Sequence, residues 1–462
     1  MSKLSPKKQI AIKFPIYLSV VYLVFTLIVY ILCPYDWPTQ KPLLFFSLNI
    51  LYIIALFVGY QFGQKREISF RWIEWTEDKT NRLAGIISVM VVINFVMYAI
   101  YIFRCYGFKE LDFAGLFEQM AIGIKKPGLG YHLHCERQKL LDGPNVMGGT
   151  FYTIVSLFWD FFKNSVAIGS VMYFKRLKLY GKVCTVAYFV MVVLFYMSIG
   201  TNIQILHIFL IVEMPVILEF FELWYHKRLN GRNIMRLVGL LLLGCLVVAL
   251  YFGWMMESRS NTYGYNINEY IIGGIAPGGS TPVETTPTES VSPLVQKIEN
   301  FWISFSSYLT QGYYGMSQAL TLNWTPMFGL GNSMFVVDMI TDNLCDIHQY
   351  TYQAKLELLG WDSKVRWHSI YTWIANDVSF YGVPIIMFMI GAIFGMMFKD
   401  AIVTQNPFAR ISLFFFILLI LFIPCNNQIA QSNENLCAFL LLIGIWMICG
   451  RSNQKKVILE KE

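Results

Sequence analysis

Charge is what this sequence has least of. Asp, Glu, Lys and Arg make up 14% of its 462 residues, against roughly a quarter in a soluble globular domain. That shortage excludes an ordinary water-facing surface. Cysteine pairing is thin as well: the nine cysteines form no C-x-x-C pair and no zinc spacing, which removes thioredoxin-like redox chemistry and structural zinc. Most of them sit in apolar runs, where a thiol behaves as a small hydrophobe. Cys105 and Cys135 share one loop and could pair there in an oxidising compartment. The loops hold no D-x-D carboxylate pair, which suits chemistry without a metal. No internal repeat is visible, which counts against transporters built from related halves. The first apolar block opens at Pro15 and lacks the short h-region and small-residue site of a cleaved leader.

What the chain has instead is apolar length. Hydrophobic residues make up 56% and aromatics 16% of the sequence, and they come in blocks near the length that crosses the ~30 Å hydrocarbon core as a helix. Ten can be placed: Phe14–Cys33, Leu43–Phe62, Leu83–Phe103, Thr150–Phe174, Val183–Gly200, Ile203–Glu219, Leu237–Met256, Val378–Phe398, Phe408–Cys425 and Leu436–Cys449. The expectation is an all-α polytopic membrane protein of about ten transmembrane helices. Its net charge of +7 does not indicate nucleic acid, because Lys and Arg concentrate in the short loops of one side. There they orient the helices, with both termini cytoplasmic.

Two loops are long enough to fold. One, residues 104–149, contains Lys125, Lys126, His134 and Arg137. The larger, residues 257–377, separates helices 1–7 (residues 1–256) from helices 8–10 (residues 378–462). Within it Gly273–Pro293 is a Pro/Gly/Ser/Thr tract of the composition of a flexible insert. Phe301–Leu322 is aromatic-rich and reads as amphipathic helix lying at the interface.

The chemistry-bearing residues gather in that larger loop. Gly360–Gly382 places Lys364, Arg366, His368, Asp377, Trp361 and Trp367 directly before an apolar run. Arg259 follows the seventh block in MMESRSN, at the depth of a lipid-linked phosphate. A planar guanidinium suits such a group, since it binds phosphate oxygens with two parallel hydrogen bonds; the structural alternative is a snorkelling cation. Lys364, Arg366 and His368 share a face if the segment is extended, whereas in a helix His368 lines up with Tyr371 and Thr372. His368 and Asp377 are the rival candidate bases. Asn202 belongs to a tight Gly200–Thr201–Asn202 turn able to present amides to an anion. Asp160, Lys163 and Asn164 in the fourth block read as an internal packing group. Tyr131, His132, His134 and Cys135 resemble metal ligands only loosely, and no metal or cofactor is expected.

YLTQGYYGMSQAL (Tyr308–Leu320), FGLGNSMF (Phe328–Phe335) and the Gly360–Gly382 segment resemble the Wzy class of bacterial oligosaccharide repeat-unit polymerases, the O-antigen and capsule polymerases of the inner membrane. The helix layout agrees along essentially the whole chain, the motifs only between Tyr308 and Gly382. The resemblance implies a metal-independent, GT-C-type glycosyltransferase that moves a growing glycan from undecaprenyl diphosphate to an incoming lipid-linked repeat unit. Its partners would be that lipid-linked oligosaccharide, the bilayer and a chain-length regulator. The family's arginine after the helix preceding the long loop falls on Arg259, and its loop cation and polar site on Arg366 and His368. Many relatives carry an arginine in the turn between the fifth and sixth helices, where this chain has Gly200, Thr201 and Asn202. The diphosphate would then be held elsewhere, by Lys364 or Lys163, or that contact is dispensable.

The expected division of labour follows. A diphosphate leaves readily, so catalysis needs charge stabilisation by Arg259 and Arg366, proton removal from the attacking hydroxyl by His368, and aromatic surfaces for sugars at Tyr308, Tyr313, Tyr314, Trp361 and Trp367. Two other functions fit less fully. An O-antigen ligase would use the same chemistry on a different acceptor. A lipid-oligosaccharide flippase would have short loops and polar helices rather than informative residues gathered outside.

Overall fold

The computed structural model describes residues 6–34, 37–66, 71–140, 149–263, 292–361, 363 and 366–450. Two helices lead, α1 (Pro6–Leu32) and α2 (Pro42–Gln64), followed by a two-residue strand β1 (Ile73–Glu74) and α3 (Glu77–Cys105). Next come α4 (Phe113–Lys125), α5 (Pro127–Leu140), α6 (Gly149–Met172), α7 (Leu179–Ser198), α8 (Ile203–Tyr225) and α9 (Gly231–Tyr263). The remainder comprises α10 (Pro293–Ala319), α11 (Met334–Asn343), α12 (Tyr352–Glu357), α13 (Ile370–Lys399), α14 (Pro407–Phe422), α15 (Asn433–Ile448) and β2 (Cys449–Gly450). Seven of these, α1, α2, α3, α7, α8, α9 and α13, are long and apolar enough to cross a membrane, and α14 and α15 are shorter apolar helices. This is an all-α architecture of the polytopic membrane type.

The chain divides into two compact units. The first comprises Met1–Ser69, Asn266–Asp400 and Phe415–Leu436. At its centre α2 and α13 lie backbone to backbone. Gly59 and Gly63 rest on the carbonyls of Phe388 and Ala392, and Gly391 and Gly395 on those of Leu56 and Tyr60. A Cβ at any of the four would strike a main-chain oxygen, so only glycine permits the approach. Small residues four apart on both partners are the usual device for close helix packing where no hydrophobic drive exists.

One proline in this unit is compensated by a hydroxyl. Pro384 cannot donate to the Phe380 carbonyl, and the Tyr52 hydroxyl donates to it instead (2.6 Å). Just ahead, Ser379 at φ 60°, ψ 166° breaks the helix. In α1, beside Pro15, the Ile12 carbonyl accepts from Tyr60 Oη (2.8 Å) and Gln64 Nε2 (2.6 Å).

The segment expected at the interface, Phe301–Leu322, lies mostly within the single 27-residue helix α10, buried on every side from Leu309 to Leu320. Its small residues explain this. Ser304, Ser306, Thr310 and Ser317 are fully enclosed, and hydroxyls short enough to bond their own helix let neighbours close in. Ser306, Thr310 and Ser317 all donate to α10 carbonyls. Most of the Gly273–Pro293 tract lies outside the described residues.

The second unit comprises Phe70–Tyr265, Ala401–Phe414 and Cys437–Glu462. Its core is aromatic: Tyr98, Tyr188, Phe195 and Tyr106 are buried together, and the Tyr106 and Ser198 hydroxyls bond at 2.5 Å. The loop after α3 folds as the pair α4 and α5, and Gly123 and Gly130 bring it against the Ser198 carbonyl. Cys105 and Cys135 are not joined in a disulfide. The Lys163 ammonium lies over the rings of Tyr98 (5.6 Å) and Tyr101 (5.3 Å). Arg410 and Glu222 form a largely buried ion pair, and β1 pairs in parallel with β2, Ile73 opposite Cys449.

Candidate functional site

In the first unit the candidate residues surround a non-helical segment, Arg366–Ser369, that runs into α13. Trp367 N donates to Gln311 Oε1 (3.3 Å), Ser369 N to the Gly312 carbonyl (3.3 Å) and Ile370 N to the Ile423 carbonyl (3.0 Å). Gly312 sits so close to Cys425 O and Ser369 N that no side chain fits there. The Ser369 hydroxyl then accepts from Thr372 N (3.4 Å) and caps α13. Of the two conformations the sequence allowed, the helical one is not adopted over residues 366–369. Lys364 lies outside the described residues.

His368 is 1% exposed, and neither Nδ1 nor Nε2 has a hydrogen-bond partner among the described residues. Its ring centroid is 6.3 Å from that of Trp373. Burial pushes the imidazole down to about 3, so the ring is neutral at pH 7, able to accept a proton but weakly basic while enclosed. Arg366 is half-buried, with its guanidinium 5.8 Å from the Trp361 ring centroid.

Asp377 is engaged differently. Its Oδ1 accepts from Gly329 N and Gly331 N, both at 2.8 Å. Next to it Asn376 donates to the Gly331 carbonyl and Gln353 Oε1 (both 2.8 Å) and accepts from Tyr352 N (2.8 Å). This pair fastens the FGLGN loop to α13, with both loop amides on one oxygen of the Asp377 carboxylate.

The aromatic residues expected to stack on sugars divide into two sets. Tyr313, Tyr314 and Trp361 are buried among themselves and Trp37. Trp37 stacks on Tyr314 at 4.9 Å, Trp361 meets Tyr314 edge-on at 5.1 Å, and Tyr313 Oη bonds Thr26 Oγ1 (3.0 Å). Their rings form core here rather than an open platform. Trp367 and Tyr308, edge-to-face at 5.0 Å, are only half-buried. Trp37, central to the cluster, was invisible to the sequence reading because it lies far upstream in a short loop.

In the second unit Arg259 and Asn202 come together. Arg259 stands in the last part of α9, donates from Nη2 to the Gly200 carbonyl, and lies over the Tyr131 ring at 4.0 Å. Gly200 takes φ +64°, the left-handed turn that glycine permits. Tyr251 Oη donates to the Thr201 carbonyl (3.1 Å), and the Asn202 amide nitrogen lies 3.7 Å from Met256 Sδ. Three buried polar atoms of this cluster have no hydrogen-bond partner among the described residues: Arg259 Nε, Thr201 Oγ1 and Asn202 Oδ1. Buried groups of this kind are ordinarily hydrogen-bonded. The cation and the hydroxyl can donate to the oxygens of an anionic head group, while Asn202 Oδ1 can only accept, from a hydroxyl of the same ligand. Tyr131 and Tyr251 carried no sequence signal for this role, being aromatics in aromatic-rich segments. No family model, curated protein or solved structure matches the chain.

Proposed function

We propose that this protein is a Wzy-class, GT-C-type polysaccharide polymerase of the bacterial inner membrane, which transfers a growing glycan from undecaprenyl diphosphate to an incoming lipid-linked repeat unit at the periplasmic face. One observation carries most of the weight: the Arg259 guanidinium held between the Gly200 carbonyl and the Tyr131 ring, with Arg259 Nε and Thr201 Oγ1 buried and without a hydrogen-bond partner among the described residues. A diphosphate entering there would accept from these two donors, and its developing charge would meet a fixed cation in a water-poor setting. In this scheme Arg259 also stands in for the arginine that relatives carry in the 200–202 turn, since it reaches that turn from α9. His368, neutral and unbonded, is the group that would accept the proton of the attacking hydroxyl once that hydroxyl displaces its apolar surroundings. Asp377 positions a loop.

Ten crossings are supported by two parities. α2 and α13 run in parallel, with Tyr52 meeting Phe380 and Gly63 meeting Ala392. Each crossing reverses the chain, so an odd number must separate them. α3, α7, α8 and α9 supply four, and α6, with 24 residues, would be the fifth. Pairing of β1 with β2 sets the loop after α2 and the chain after α15 on one side. α14 and α15 must then both cross or both not. At 16 residues each they rise about 24 Å, near the thickness required once flanking turns are added.

The decisive assay is incubation of the purified protein with its lipid-linked repeat unit in EDTA, resolved as a ladder on a gel. Wild type should extend the glycan. Arg259→Ala should lose 10²-fold or more of that activity, the scale of removing one charge-stabilising donor, at unchanged protein level. Normal-length product from Arg259→Ala would defeat the assignment. Transfer to a lipid A core acceptor without a ladder would indicate the ligase, and movement of the lipid without any transfer would indicate the flippase.

A further inference from the structure

The loop that Asp377 fastens ends in a feature that a polymerase active site does not require. Residues Met327–Leu330 turn through positive φ at both central positions, Phe328 (+53°) and Gly329 (+97°), closed by a Leu330 N to Met327 O bond of 3.1 Å. This matches the type I′ turn, whose first central position favours Asn, Asp or Gly. Here it holds phenylalanine, and a bulky residue with positive φ is strained. The ring gains no burial in return: Phe328 is 86% exposed. Leu330, on the same turn, is exposed as well.

The turn is nonetheless rigidly mounted. Asp377 Oδ1 takes the amides on either side of Leu330, while Met327 N and Trp324 Nε1 both donate to the Asn376 carbonyl (3.2 and 3.0 Å). The mounting point also marks a boundary on α13. Every residue from Ile370 to Asn376 is buried. Beyond the break at Ser379, Tyr381, Ile385 and Met389 are exposed at four-residue spacing on a helix apolar enough to span a bilayer. On a membrane-spanning helix such a row is the face turned to hydrocarbon, and the loop is bonded four residues before it begins.

We infer that the Met327–Leu330 turn is a membrane-interface anchor, with Phe328 and Leu330 inserted into the lipid leaflet beside the start of the exposed row on α13. The occupant of this patch is lipid, because the patch continues a lipid-facing helix surface. Asp377 and Asn376 fix the depth at which the turn meets the bilayer. The anchor does not depend on which reaction the protein performs.

The test uses full-length protein in nanodiscs, with exposed Cys245 and Cys345 replaced by serine and an environment-sensitive fluorophore on Phe328→Cys. Asp346→Cys, at an exposed polar position, is the reference. The 328 probe should emit blue-shifted relative to 346 and be quenched severalfold more by spin-labelled phosphatidylcholine than by aqueous iodide. Asp377→Ala should reduce that lipid quenching. Water-like emission and equal iodide quenching at both positions would overturn the anchor. So would a blue shift that persists in detergent without lipid quenching, which would mean a protein surface covers the turn. Undiminished lipid quenching in Asp377→Ala would overturn the mounting.

Discussion

At His368 the local sequence and the fold pull in opposite directions. Its neighbours are cations and polar residues, the setting of a solvated histidine, yet backbone bonds from Trp367 and Ser369 to α10 draw the ring into the interior. The consequence is measurable. Folded, the imidazole titrates at about 3; unfolded, near 6.5. Below pH 6.5 the unfolded chain takes up a proton that the native ring refuses, so stability falls as pH drops from about 6.5 toward 3, at up to ~1.4 kcal/mol per pH unit. Burial lowers His134 in the same direction, so part of the slope persists without His368. Thermal denaturation of wild type and His368→Gln at pH 7.5 and 5.5 should show the smaller loss in the variant. An equal loss in both would mean the ring already protonates in the native state. Under the proposed polymerase function the same variant should be slow in the ladder assay, since an amide accepts a hydrogen bond but not a proton. Asp377, the rival of His368 on sequence grounds, is held by the amides of Gly329 and Gly331, which no spacing rule could foresee.

Among the elements, the α2–α13 pair shows what helix length cannot reveal. Both helices were expected from hydropathy alone, but their contact rests on Gly59, Gly63, Gly391 and Gly395. The four-residue spacing was present in the sequence as a packing signal. What hydropathy lacked was any means of choosing the partner, because close packing is a property of two surfaces. Gly391→Val would press a branched side chain onto the Leu56 carbonyl and should cost several kcal/mol, more than the usual ~1–3 for overpacking, since backbone cannot yield. Ser379→Gly should act oppositely, relieving a conformation essentially reserved for glycine and adding about 1 kcal/mol. Melting temperatures in detergent that fail to move apart would remove this account of the kink and the interlock. α10 makes the complementary point. Its aromatic and hydroxyl content suggested a surface helix, whereas serines and threonines bonded to their own helix are compatible with deep burial.

At the scale of the molecule, the proposed crossing of α6 is open to a direct measurement. With it, Lys109 and Lys178 lie on opposite sides of the membrane; without it, on the same side. Single cysteines at these positions in intact cells should react unequally with an impermeant maleimide, Lys109→Cys openly and Lys178→Cys only after permeabilisation. Equal labelling would reduce the crossing count. Sequence alone settled that the chain is helical and made for a bilayer, because apolar run length and scarcity of charge are local quantities fixed by the thickness of hydrocarbon. It also located the polar residues that chemistry would need. Tertiary structure alone decided how each is used: Arg259 against the Gly200 turn, Asp377 on loop amides, Tyr313 and Trp361 in an aromatic core, His368 sealed from water. Those outcomes depend on partners tens to hundreds of residues away, and the free energy of a buried polar group is set by whichever partner the fold brings to it.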